Sequence, residues 1–115
     1  MPAGTRVAGQ VRLAPGPCPR AAAAWVRVED VGRVDAASVP VAEQRVEVPA
    51  GAASFRFDLR VEHHEARGAY ALSVHVDVDG DGQVGVGDFI NVQRYPVLTG
   101  ADGDAAAVEA RRIEG

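Results

Sequence analysis

Lysine is missing from this chain: all 12 basic residues are arginine, set against 16 acidic ones for a formal net charge of −4. Asparagine and isoleucine are nearly absent too, a bias that points to GC-rich coding rather than to a chosen chemistry. With an acidic balance and no basic stripe interleaved with aromatics, the sequence argues against nucleic acid as a partner. Cys18 is the only cysteine, so no disulfide framework can form within the chain. It sits in the rigid stretch Pro15-Gly16-Pro17-Cys18-Pro19 with no base beside it, and a catalytic thiol needs one. Cys18 is therefore expected to be inert. Aromatics make up only 5% of residues, too few and too scattered (Trp25, Tyr70, Tyr95) to build sugar platforms. No apolar run resembles a signal peptide or a membrane span, so the chain as written is expected to stay in the cytoplasm and cross no membrane.

What is present is a succession of short alternating segments. A chain of 115 residues is expected to form one domain, residues 1–115, with a core that needs no staples. Thr5 to Leu13 alternates, with Val7, Gly9, Val11 and Leu13 turned inward. Trp25-Val26-Arg27-Val28 lies in a second strand, Ala23 to Glu29. Val41 to Val48 carries Glu43, Arg45 and Glu47 on a polar face. Ser54 to Val61 is the clearest case, with Phe55, Phe57, Leu59 and Val61 on one face and Arg56, Asp58 and Arg60 on the other. Pro/Gly-rich turns and polar connections separate these segments: residues 14–20, Asp30 to Pro40, Pro49-Ala50-Gly51, Glu62 to Gly68, and the acidic turn Thr99 to Asp104. The tail, Ala105 to Ile113, reads as either a last strand or a short helix. About seven strands at this spacing predict an all-β fold, an antiparallel immunoglobulin-like β-sandwich.

Residues 77–88, Asp-Val-Asp-Gly-Asp-Gly-Gln-Val-Gly-Val-Gly-Asp, carry the strongest chemical signal. Carboxylates fall at positions 1, 3, 5 and 12 of a twelve-residue loop, with glycine at position 6, the pattern that supplies a hard cation with oxygens. Asp77, Asp79 and Asp81 would each give a side-chain oxygen, Gln83 its backbone carbonyl, and Asp88 would close the loop around Ca²⁺. Gly82 would make the sharp turn, having no Cβ to clash at positive φ. Four carboxylates this close repel one another without a counter-charge. A solvated Asp/Gly turn is the plainer alternative. The flanks are not the helices of an EF-hand. Tyr70 to Val76 alternates with a period of two, and Phe89 to Tyr95 runs into Pro96, so residues 69–98 are expected to be a hairpin whose connection is the acidic loop.

No catalytic constellation is present: no nucleophile elbow, P-loop or dinucleotide fingerprint. The dense glycines 80, 82, 85 and 87 are interleaved with aspartates that would repel a phosphate. Glu62-His63-His64-Glu65 cannot converge on one metal, since neighbouring side chains of an extended segment point to opposite sides. His75 is expected at the surface or a sheet edge, opposite Leu72 and Val74. The chain is therefore not expected to be an enzyme.

The sequence also resembles the YbaY-like lipoprotein family, which includes pilotin-type lipoproteins of type III secretion. The residues that carry the resemblance are Val7-Ala8-Gly9-Gln10-Val11, Ala24-Trp25-Val26-Arg27-Val28-Glu29-Asp30-Val31, Val41-Ala42-Glu43-Gln44, Phe55-Arg56-Phe57, Tyr70-Ala71-Leu72 and Tyr95-Pro96-Val97-Leu98-Thr99. It implies an immunoglobulin-like β-sandwich and relatives that are exported and lipid-anchored, and it supplies no catalytic residue. The calcium-type loop departs from the short turn expected there. Two functional expectations follow. The first is a non-enzymatic binding or adaptor module with Ca²⁺ as a structural ion between two strands. The alternative is a chaperone- or pilotin-like module that holds another protein through a sheet edge, with no metal in the acidic loop.

Overall fold

The computed structural model describes residues 4–32, 39–63, 68–91, 93, 95–98 and 104–114. Much of the Asp30–Pro40 connection, His64 and Glu65, and the acidic turn at 99–103 lie outside the described residues.

Period-two alternation becomes strand wherever it was read. The strands are β1 (Thr5–Ala14), β2 (Ala22–Asp30), β3 (Val39–Val48), β4 (Ser54–Val61), β5 (Tyr70–Asp77), β6 (Phe89–Asn91), β7 (Tyr95–Val97) and β8 (Asp104–Arg112). β-branched and aromatic side chains at every second position fit a pleated surface with one buried face. In β4, Phe55, Phe57, Leu59 and Val61 are buried, and Arg56, Asp58 and Arg60 face water. In β1, Val7, Val11 and Leu13 are buried. These side chains meet Val26, Val28, Leu72, Val74, Val76 and Phe89 in one core cluster.

The all-β expectation holds, and in place of the two sheets of a sandwich the strands form one sheet in the order β3-β2-β5-β6-β8-β1-β4, with β7 also on β5. The sheet curls until it is nearly closed. β3 and β4 form its two ends, and the Gln44 side chain spans the seam between them, accepting the Asp58 N–H at 2.8 Å. The tail resolves to strand. β8 runs parallel to β1, from Val7↔Asp104 to Ala14↔Arg111, beside otherwise antiparallel pairs. Burial of alternate tail residues such as Val108 and Ala110 provides the reason, because only an extended segment puts both on the core side.

The expected hairpin at 69–98 is present, with its returning arm in two pieces. β6 pairs with β5 at His75↔Ile90 and Val76↔Phe89, and β7 at Leu72↔Tyr95 to Tyr70↔Val97. Between them the Asn91 side chain substitutes for the backbone ladder. Its Oδ1 accepts the Val74 N–H at 2.9 Å, and its Nδ2 donates to the carbonyls of Leu72 (3.3 Å) and Gln93 (3.0 Å). Buried backbone groups of a central strand must be paired, so the interruption is tolerated because Asn91 supplies both a donor and an acceptor.

Cys18 is buried, and its Sγ–H donates to the Arg20 carbonyl at 3.1 Å. Burial pushes its pKa up, away from the reactive thiolate.

Candidate functional site

The connection between β5 and β6 is ordered by the carboxylates at its two ends. Asp88 is fully buried (0% exposed). Its Oδ1 accepts the Val78 N–H at 2.9 Å, and its Oδ2 accepts the Gly85 N–H at 3.3 Å and lies 2.8 Å from His75 Nε2. An ionised carboxylate can only accept, so Nε2 carries the hydrogen of that bond. A buried charge is tolerated only when hydrogen-bonded, and Asp88 has three donors. The main chain adds more. Asp88 N–H donates to the Gly85 carbonyl at 3.1 Å, Ile113 N–H to the Asp88 carbonyl at 2.8 Å, and Gly87 N–H to the Ile113 carbonyl at 2.9 Å. The loop is thereby stitched to the segment that leaves β8.

At the other end, Asp77 is also buried, and its two oxygens accept the N–H groups of Gly80 (3.2 Å) and Gly82 (2.9 Å). Asp79 accepts from Asp81 N–H at 3.3 Å, and Asp81 from Gln83 N–H at 2.9 Å. Each is an aspartate bonding the backbone two residues on, a local turn built by the side chain. Gly82 has φ +78°, the left-handed conformation read from its place at position 6 of the loop.

The outcome is a concentrated oxygen site. Asp77, Asp79, Asp81 and Asp88 each offer a carboxylate oxygen, and these oxygens all lie within 4.8 Å of one another. Asp79 and Asp81 are exposed, while Asp77 and Asp88 form the buried floor. Gln83 follows on the same loop, tied through its N–H to Asp81.

His75 differs from its expected place. It is 7% exposed, flanked across the strands by Trp25 of β2 and Ile90 of β6 and bonded to Asp88. Alternation correctly put it on the outer face of β5, but the loop folds back over that face. The signal in the sequence was Asp88 itself, since a carboxylate that closes a loop below the surface needs a donor. His75, Asp77 and Asp88 form a second potential metal-ligating group, all three buried, also within 4.8 Å. Glu62 and His63, by contrast, are exposed, and among the described residues the metal-competent groups all draw on the loop and the end of β5 that leads into it.

A model of the type III secretion system lipoprotein chaperone family, YscW, matches residues 2–109 of the chain. The chain belongs to that family. A solved structure titled an alternative pilotin from the type II secretion system of Vibrio cholerae superposes on this YscW-family chain with a TM-score of 0.79. The two share 22% identity over 96% of this chain and 98% of that one, a likeness of fold. No curated protein matches the chain. The family is described as a chaperone, a non-enzymatic role. Among the described residues, no helix is long and apolar enough to cross a membrane.

In this YscW-family chain, the central role of Asp88 predicts a hierarchy of mutational costs in urea unfolding. Asp88→Ala leaves His75 and the Val78 and Gly85 N–H groups without their acceptor, and should cost about 3–5 kcal/mol, since each buried group left unsatisfied costs about 1–3 kcal/mol. His75→Ala should cost about 1–3 kcal/mol. Asp81→Ala, at an exposed position, should stay within about 0.5 kcal/mol. Equal costs for all three would contradict this assignment.

Proposed function

We propose that the protein is a non-enzymatic chaperone module that binds a subunit of a secretion apparatus. The observation that carries this reading is the family match over almost the whole chain, to proteins described as secretion-system lipoprotein chaperones. A chaperone's client is another protein, and this fold offers one in a strand at the end of its sheet. β3 pairs with β2 on one side only, and Val39 and Val41 on it are 46% and 36% exposed. An extended client segment can add to such an edge, its main chain supplying affinity and its side chains register. Gln44 covers one point of the edge by bridging to β4.

The test is co-expression with each outer-membrane subunit of the secretion apparatus from the same genome, followed by affinity purification. One subunit should be retained and protected from proteolysis. Val39→Glu with Val41→Glu should abolish retention with less than about 0.5 kcal/mol change in stability, since both sites are exposed. Retention of no subunit, or undiminished retention by the double variant, contradicts the reading.

A second reading is supported by the loop geometry. Two oxygens on opposite sides of a Ca²⁺ ion, each at about 2.3–2.6 Å, stand roughly 5 Å apart, and the aspartate oxygens fit that span. In this reading Asp77, Asp79, Asp81 and Asp88, with the Gln83 carbonyl, hold Ca²⁺ as a structural ion. An ion that binds only the folded state stabilises it by roughly 2.7 kcal/mol at a hundredfold excess over Kd. Chelator-stripped protein should then melt roughly 10 °C higher in millimolar Ca²⁺ than without it. Asp77→Ala with Asp79→Ala should erase the rise. An equal Tm with and without Ca²⁺ leaves the loop as an acidic turn.

A further inference from the structure

A cleft of about 590 Å³ opens between the acidic loop and the outer face of β2 and β3. Its floor exists because the chain spends alanines there. Ala23 is flanked in register by Glu47 of β3 and Asp77 of β5, so a methyl group separates two carboxylates. One row along, Trp25 walls the cleft beside Arg45, and Asp79 overhangs from the loop.

The charges of the lining are unevenly matched. Arg45 is spoken for: it pairs with Glu47, and its guanidinium carbon stands 5.9 Å from the Trp25 ring centroid. Arg27 approaches the same ring at 6.0 Å and pairs with Glu43. Arg20 is the other cation of the lining. Among the described residues, no ion pair reaches Asp77 or Asp79, and Asp81 lies behind them in the same oxygen group. The cleft is thus a small apolar floor beside an excess of negative charge.

We propose that this cleft receives an arginine or lysine side chain from the client segment. This rests on the reading of the protein as a client-binding chaperone and names the chemistry by which it would choose. The aliphatic stem would lie over Ala23 and against Trp25, as long basic side chains cover apolar surface while keeping the charge in water. The cationic head would meet the exposed Asp79, with the charge of the buried Asp77 beneath it, and a guanidinium suits a carboxylate best because it can bond two oxygens at once. An acidic side chain is repelled by the same aspartates. A purely apolar one leaves them without a counter-charge.

Trp25 is the chain's only tryptophan, so its emission reports occupancy directly. The probe is the peptide acetyl-Ser-Val-Arg-Val-Ser-amide, titrated into chelator-treated protein, beside the same peptide with norleucine for arginine. The arginine peptide should give a saturable change, and norleucine should weaken it at least about tenfold, or 1.4 kcal/mol. Asp79→Asn, at an exposed site, should weaken the arginine peptide as well. Ala23→Leu should abolish the response by filling the floor; if that variant does not fold, Asp79→Asn decides. Equal binding of both peptides, no saturable response, or indifference to Asp79→Asn overturns the proposal. If the peptide fails while a secretion subunit is still retained, the cleft assignment falls and the chaperone reading stands. If no subunit is retained yet the arginine response appears, the chaperone reading falls and the cation-selective cleft stands.

Discussion

One buried carboxylate organises the acidic-loop end of this molecule. Asp88 has no contact with solvent, yet it touches three separate parts of the chain: His75 of β5, and Val78 and Gly85 of the loop. Its own main chain accepts from Ile113, beyond β8. Leaving a charge in the interior is costly without donors, so these groups converge on it, and their convergence holds the loop on the outer face of β5. The exposed aspartates inherit that order. Within 4.8 Å of one another, like charges repel, and the anchors at Asp77 and Asp88 hold them together nonetheless.

The same constraint shapes the surface beyond the loop. Because the loop folds back rather than projecting into water, it buries His75 and forms one wall of a cleft whose other wall is Trp25 and whose floor is Ala23. The sheet ends at β3 and β4, where the Gln44 bridge stands in for the backbone ladder that full closure would provide. Unpaired edges are ordinarily protected against unwanted pairing. Here part of β3 carries two exposed valines, Val39 and Val41.

Much of this was legible in the sequence because it depends on local alternation. Phe55-Arg56-Phe57-Asp58-Leu59-Arg60-Val61 admits one arrangement on a half-buried sheet, and the chain adopts it. The four aspartates and Gly82 were legible for the same reason: their spacing alone determines who meets whom in a tight loop. What depends on tertiary placement was hidden. Alternation within β5 does not announce that the loop closing at Asp88, thirteen residues on, will cover His75. Nothing in Ala105–Ile113 chooses strand over helix until β1 and β6 offer partners on both sides. Asn91 reads as an ordinary polar residue, and its role appears only where the ladder breaks between β6 and β7.

The central claim is that buried carboxylates order the acidic loop before any partner or ion arrives. Amide hydrogen exchange on chelator-treated protein tests it, read at Val78, Gly82 and Gly85, whose N–H groups bond Asp88 and Asp77. The account predicts protection at these amides approaching that of the flanking strand β5, lost at Val78 and Gly85 in Asp88→Ala. Exchange at unprotected rates in the unsubstituted protein would contradict it, leaving a loop that becomes ordered only when something binds.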